Sequence, residues 1–263
     1  MVGNAFAVAI QPDNKIVAGG RIDGDVQLAR YNPDGTPDNS FGVNGKLATP
    51  TDIVGDADAA ANIVILPTGE ILVSGGSSVG GTVRPTGLAR YLPNGSLDTS
   101  FGTGGKVILD ETVGEGLARQ PDGRLILVGS IETLVSPATR RMFLVMRLNE
   151  NGSVDSSFGT GGKVSTALSE RGDVARAVAL RDGKIIVAGI ASSQTNPNFA
   201  VARYNSDGTL DTAFNGDGLL TLDFFTSADV AESVAIQPNG RIVLGGSVQE
   251  NFVEGYGVAR VVP

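Results

Sequence analysis

The 263-residue chain is 41% hydrophobic and 18% charged, with a net charge of −8 at pH 7. Such a composition can bury a substantial core and is not that of a disordered chain. Its acidic balance argues against nucleic acid and anionic membrane surfaces, which attract Lys and Arg. With no Cys and no His, the chain cannot form disulfides, thiol nucleophiles, Zn–thiolate sites, Ser-His-Asp or Cys-His arrangements, or imidazole metal ligands.

Four short extended segments open the chain. They are Ala7–Ile10 (A), Lys15–Gly19 (B), Val26–Tyr31 (C) and Gly45–Ala48 (D). Each is rich in β-branched or small apolar residues and is bounded by turn formers, the pattern of a strand. No segment has the 3.6-residue apolar spacing of a helix. A and B are joined by Pro12-Asp13-Asn14, where Pro presets φ and Asn accepts a left-handed position, so a hairpin turn is predicted. C and D are joined by a longer loop, residues 32–42, in which Asp34 and Asp38 suit Asx-turns and Phe41 suits an apolar plug.

The pattern then recurs. Arg30 returns as Arg90, Arg147, Arg203 and Arg260, and Phe41 as Phe101, Phe158 and Phe214, in one register at intervals of 56 to 60 residues. The A–B turn returns as Pro67-Thr68-Gly69, Pro121-Asp122-Gly123, Arg181-Asp182-Gly183 and Pro238-Asn239-Gly240. Repeats of approximately 1–56, 57–112, 113–169, 170–226 and 227–263 follow, read as one domain. Four strands per repeat is the blade pattern of a β-propeller. One repeat cannot cover both faces of its own sheet, and a ring needs no capping repeats. The expected fold is therefore all-β, a five-bladed propeller of four-stranded antiparallel blades. The fifth copy stops at Val261-Val262-Pro263, after strand C, so the last blade should lack one strand.

The string Ala-Arg-Tyr-Leu-Pro-Asn-Gly-Ser-Leu-Asp-Thr-Ser-Phe-Gly-Thr-Gly-Gly-Lys-Val at 89–107 resembles the delta-60 repeat of bacterial proteins. The resemblance covers nearly the whole chain. It implies a propeller-like domain of secreted or surface-associated proteins, hence an extracellular or cell-surface location, and brings no defined activity or catalytic residues. The opening Met1-Val2-Gly3-Asn4 shows no signal peptide, and no apolar run approaches the 18 residues of a membrane span.

Alternating strands put the A–B and C–D loops on one face and the B–C and D–A loops on the other. The B–C segments 21–25, 77–86, 131–141, 190–198 and 247–256 vary in length and content, and variable loops on a fixed scaffold are where binding sits. At the start of strand A the copies read Phe6, Ala61, Glu115, Arg176 and Glu232, and three residues earlier Gly3, Asp58, Thr112, Asp173 and Asp229. Both rows should ring one mouth of the channel. Asp58, Glu115, Asp173, Arg176, Asp229 and Glu232 are thus the candidate ligand-binding residues, against the plainer reading of a solvated acidic rim. Asn32, Asp34 and Asp38 partly resemble an oxygen-ligand calcium loop, but Leu92 replaces Asn32 in the second copy and a hydrogen-bonded turn explains the same residues, so no cofactor or metal is expected. The Arg and Asp rows should pair within or between blades. The function read from these residues is a monomeric, non-catalytic binding or scaffold propeller with a protein or glycan partner. The alternative is a lectin or glycosidase using Asp and Glu at the channel mouth, which the absence of Trp weakens.

Overall fold

The computed structural model describes residues 4–22, 25–49, 61–76, 85–110, 112–135, 138–192, 196–225, 227–251 and 253–262. Among them are nineteen strands and no helix. The first repeat holds β1 (Asn4–Ile10), β2 (Ile16–Ile22), β3 (Asp25–Tyr31) and β4 (Lys46–Ala48). The second holds β5 (Asn62–Ile65), β6 (Ile71–Gly76), β7 (Thr86–Tyr91) and β8 (Lys106–Leu109). The third holds β9 (Val113–Arg119), β10 (Leu125–Val135), β11 (Ala138–Leu148) and β12 (Lys163–Thr166). The fourth holds β13 (Gly172–Arg181), β14 (Lys184–Ser192), β15 (Pro197–Tyr204) and β16 (Leu219–Leu222). The fifth holds β17 (Asp229–Ile236), β18 (Ile242–Glu250) and β19 (Val253–Val261), a three-stranded sheet as the sequence predicts.

The chain forms two compact units, Met1–Leu125 with Asn149–Ser153, and Ile126–Leu148 with Val154–Pro263. In the first unit, β1–β4 and β5–β8 form two antiparallel sheets in chain order. In the second, β13–β16 and β17–β19 do the same, and a single parallel bridge from Arg141 to Gly172 links β11 to β13.

The core lies between the sheets of successive repeats. In the first unit Val17, Val26, Leu28 and Phe41 pack against Ile71, Val73, Ala89 and Tyr91 of the next repeat. In the second, Ile185, Val187, Ala200 and Ala202 join one such layer, while their neighbours Ile186, Ala188, Phe199 and Val201 join the next. A sheet covered on both faces explains why β14 and β15 read as continuous apolar runs rather than alternating ones. Each Val, Leu, Ile or Phe among them contributes about 1.5–3 kcal/mol of burial. The pattern fails at two places. Val8 and Ile10 of β1 are exposed, although the matching Ile63 and Ile65 of β5 pack on the preceding sheet. Tyr256 and Val258 of β19 are exposed, although the matching Phe199 and Val201 of β15 are buried.

One expectation needs correction. The sequence places loops at 131–141, 190–198 and 247–256, yet β10 and β11, β14 and β15, and β18 and β19 extend through most of them as hairpins. β18 and β19, for example, remain paired out to Glu250 and Val253. The core continues into these hairpins, since Ala191 of β14 and Val248 of β18 are buried members of it, and β-branched residues such as Val248 favour the extended ladder.

Candidate functional site

The recurring polar residues form one constellation. In the first three repeats the Arg of strand C extends three arms. Its Nε donates to the loop Asp at 2.7 Å in Arg30–Asp38, Arg90–Asp98 and Arg147–Asp155. Its Nη2 donates to Ser40, Ser100 or Ser157 at 3.0–3.3 Å. Its Nη1 donates to a backbone carbonyl of the following repeat: Pro93 at 2.5 Å, Glu150 at 2.7 Å and Ser206 at 2.6 Å. The guanidinium lies over the loop Phe, 4.5–4.9 Å from the ring centre at Phe41, Phe101, Phe158 and Phe214. All four Phe are fully buried plugs, and the Arg and Asp rows do pair, within a repeat.

The following repeat closes over this lock. Gly95 sits on Phe41, Gly152 on Phe101 and Gly208 on Phe158, each at φ between 87° and 94°. Both the left-handed backbone and the ring beneath exclude a side chain there. The Ser hydroxyl bond, aided by the Ser N–H and the Arg, holds Asp38, Asp98 and Asp155 below the usual carboxylate range; at Asp211 the Lys184 ammonium is the first cause. A hydroxyl pair adds a second seam: Tyr91 bonds Thr49 at 2.5 Å and Tyr204 bonds Thr166 at 2.8 Å, and burial pushes Tyr91 up to about 12. Asp34, the partial calcium-ligand candidate, caps the N–H and hydroxyl of Thr36 at 2.9 and 2.6 Å.

The predicted ligand row is divided by the structure. Asp58 lies outside the described residues. Asp173 and Asp229 are fully buried. Asp173 accepts the N–H groups of Leu168 and Ser169 and the Ser169 hydroxyl, and Asp229 accepts the N–H of Phe224 at 2.7 Å. Both therefore brace the connection from strand D into strand A. Thr112, at the same position, is also buried and bonds the Leu109 carbonyl. Arg176 and Glu232 are part-exposed and approach at 3.6 Å across successive repeats. Glu115 is half-buried, and its carbonyl accepts from Asn62 of the preceding repeat.

Arg176 and Glu232 share a backbone device that sequence reasoning missed. The ladder shifts between Ala5 and Ala7, between Ala175 and Ala177, and between Ala231 and Ser233, so Phe6, Arg176 and Glu232 are the extra residues of β-bulges. Opposite stand Gly20, Gly189 and Gly246, where an added Cβ would run into the carbonyls of Asn4, Val174 and Val230. The small residues closing strand B in each of these repeats were the available signal. Among the described residues no group of three or more acidic side chains is placed to hold a metal ion.

An all-β repeat chain whose recurring polar residues bond successive repeats is a propeller-type scaffold. The chain belongs to the family described as a domain of unknown function (DUF5122) beta-propeller, whose pattern matches residues 11–41, 66–101, 120–158 and 180–214, over half of the sequence. Each matched segment ends on the plug Phe, so the lock falls within the family pattern. No curated protein matches the sequence. Among solved structures, a protein of unknown function from Dyadobacter fermentans is similar at 12% identity and a TM-score of 0.53, over 98% of this chain and 79% of that one. An α-L-arabinofuranosidase from Lactobacillus brevis is similar at 8% identity and a TM-score of 0.51, over 97% and 89%. At these identities the likeness is one of fold.

Proposed function

We propose that this chain is a non-catalytic binding or scaffold propeller, its five repeats forming five blades, and that it serves in a secreted or surface-associated bacterial protein with a protein or glycan partner. One observation carries the reading: the repeated Arg, Asp, Ser and Phe side chains are engaged in holding one repeat to the next, so binding falls to residues that differ between repeats. Of the candidate row, Asp173 and Asp229 act as braces. Arg176, Glu232 and Glu115, which keep some solvent exposure at the start of strand A, are the contact residues. A polar or hydroxyl-rich ligand suits them. The second reading, a carbohydrate-active domain, draws on these same carboxylates and on the fold likeness to an arabinofuranosidase.

A glycan array with the intact chain tests both. Saturable binding that weakens in Glu232→Gln and Glu115→Gln, with unfolding midpoints unchanged, supports a site at this row. Release of sugar from a bound glycan would replace the first reading with the second. Binding indifferent to both substitutions and to Arg176→Gln would remove the row from the site.

A further inference from the structure

The chain carries five Asn-Gly pairs: Asn44-Gly45, Asn94-Gly95, Asn151-Gly152, Asn215-Gly216 and Asn239-Gly240. All five Asn are exposed in turns. A following Gly leaves an Asn amide open to attack by the next backbone nitrogen, since no side chain shields that nitrogen or restricts its approach. By sequence the five pairs are equivalent, but their places within the turns are not.

At three of them the Gly closes the turn. Gly95 donates its N–H to the Leu92 carbonyl at 2.8 Å, Gly152 to Asn149 at 2.9 Å and Gly240 to Gln237 at 2.9 Å. The Asn side chains are held as well. Asn94 Oδ1 accepts the N–H and hydroxyl of Ser96 at 2.9 and 2.8 Å, Asn151 Oδ1 those of Ser153 at 3.0 and 2.7 Å, and Asn239 Oδ1 the N–H of Arg241 at 3.2 Å. Asn44-Gly45 sits one place earlier. These two are the central residues of a tight hairpin turn, with φ of 53° and 78°, across which Val43 and Lys46 exchange backbone bonds at 2.7 and 3.1 Å. A central N–H has no acceptor within such a turn, and among the described residues neither the Gly45 N–H nor the Asn44 amide is hydrogen-bonded. Asn215-Gly216 lies inside the wider turn that Gly218 closes on the Phe214 carbonyl at 2.7 Å. There too the Gly216 N–H has no acceptor among the described residues, open space surrounds Gly216, and the Asn215 amide makes one bond, from Nδ2 to the Leu219 carbonyl at 2.7 Å.

We propose that Asn44 and Asn215 are sites of spontaneous deamidation, and that Asn94, Asn151 and Asn239 are protected by their turns. The Gly nitrogen gives its proton to solvent base and bonds to the Asn Cγ. The Cγ–Nδ2 bond breaks, and the amide nitrogen takes up a proton from water and departs as ammonia. Water then opens the five-membered imide at one of its two carbonyls, leaving Asp or isoaspartate. Nothing is oxidised or reduced, and water is the only outside reactant. Each conversion adds a negative charge. The Asp product fits either turn, because both side chains are exposed and Asp accepts a left-handed backbone as Asn does. The isoaspartate product does not fit at 44. It routes the main chain through one more carbon, in a turn whose Gly45 carbonyl accepts the Arg30 N–H at 2.8 Å and whose Gly45 is packed on Pro37 and Asp38. Isoaspartate at 44 therefore loosens β4 and the backbone beneath the first lock. The inference stands apart from the Arg176–Glu232 row.

The test is incubation of the intact chain at mildly alkaline pH, followed by peptide mapping with mass spectrometry that separates Asn, Asp and isoaspartate. Asn44 and Asn215 should each convert about tenfold or more faster than the other three, which must first give up the hydrogen bonds of their turns. In denaturing urea that advantage should vanish. Asn44→Asp should leave the urea midpoint unchanged, whereas chain carrying isoaspartate at 44 should unfold at lower urea. Conversion of Asn94, Asn151 or Asn239 as fast as Asn44 or Asn215 in the folded chain would overturn the proposal. So would a ranking that survives in urea, which would place its cause in the neighbouring residues and not in the turns. An isoaspartate form as stable as Asn44→Asp would overturn the effect on the lock.

Discussion

Arg90→Ala measures what one lock contributes. The side chain is about nine-tenths buried and holds Asp98 at 2.7 Å, Ser100 at 3.0 Å and the Glu150 carbonyl of the next repeat at 2.7 Å, over the Phe101 ring. Breaking a buried pair by removing one partner costs about 3–5 kcal/mol, because the other charge is left uncompensated. Asp98 keeps the Ser100 N–H and hydroxyl, which moves the figure toward the lower end, while the lost carbonyl bond and ring contact move it up. The balance is about 3 kcal/mol. With a urea m-value of about 3 kcal/mol/M, the midpoint falls by about 1 M. Arg260→Ala, the same residue at the same repeat position but exposed, should move it by no more than about 0.2 M, the scale of a surface substitution. Arg90→Lys should recover part of the loss, since one ammonium cannot reach three acceptors arranged for a planar fork. If Arg90→Ala is no more damaging than Arg260→Ala, the lock is ornamental and the account of inter-repeat bonding fails.

Three further outcomes are expected. Phe101→Ala empties a plug under both Arg90 and Gly152, so urea unfolding should register a loss of about 3–5 kcal/mol. Gly189→Ala puts a Cβ against the Val174 carbonyl behind the Arg176 bulge and should cost about 2 kcal/mol, the scale of an overpacked site; Gly183→Ala, with open space around it, reports only turn strain and serves as the comparison. The loop carboxylates Asp38, Asp98, Asp155 and Asp211 are all depressed in the folded state, so their stabilisation is full above the unfolded value near 4 and is lost as pH falls through the folded values. Urea midpoints should therefore hold from pH 7 to about 5 and drop below pH 4, and Asp98→Asn should shallow that drop; a midpoint that rises on acidification would contradict the assignment.

Much of the repeat was legible because its determinants are local. Pro and Gly at fixed offsets place the A–B turns, Asp two residues before Ser places the C–D turn, and four Phe in register announce four buried plugs. The third arm of the Arg was not legible, because its acceptor is a backbone carbonyl roughly 60 residues away. A carbonyl leaves no mark in the residue sequence, and only stacking of successive sheets brings it near. The rows at strand A suggest one acidic mouth because both carry carboxylates. Burial divides them: Asp173 and Asp229 are fully buried and cap N–H groups of the incoming loop, while Arg176 and Glu232, at the bulge three residues on, stay part-exposed. A one-residue slip in the ladder changes the face a side chain occupies, and period-two reasoning carries it through unbroken.

Each interior repeat supplies an Arg to the next repeat and a carbonyl and a Gly to the previous one, so its stability is shared with two neighbours, as in a one-dimensional array. The first repeat offers a Gly that meets nothing, at Gly35, and an uncovered face at Val8 and Ile10. Arg203 keeps Asp211 and its place over Phe214, while Arg260 is exposed. Substitution of an interior lock must therefore weaken two repeats at once. Stability mutants should cluster at Arg30, Arg90 and Arg147. A scan in which Arg260→Ala destabilises the chain as much as Arg90→Ala would show the exposed copy to be as fully engaged as the buried ones, and the account of inter-repeat bonding would fail.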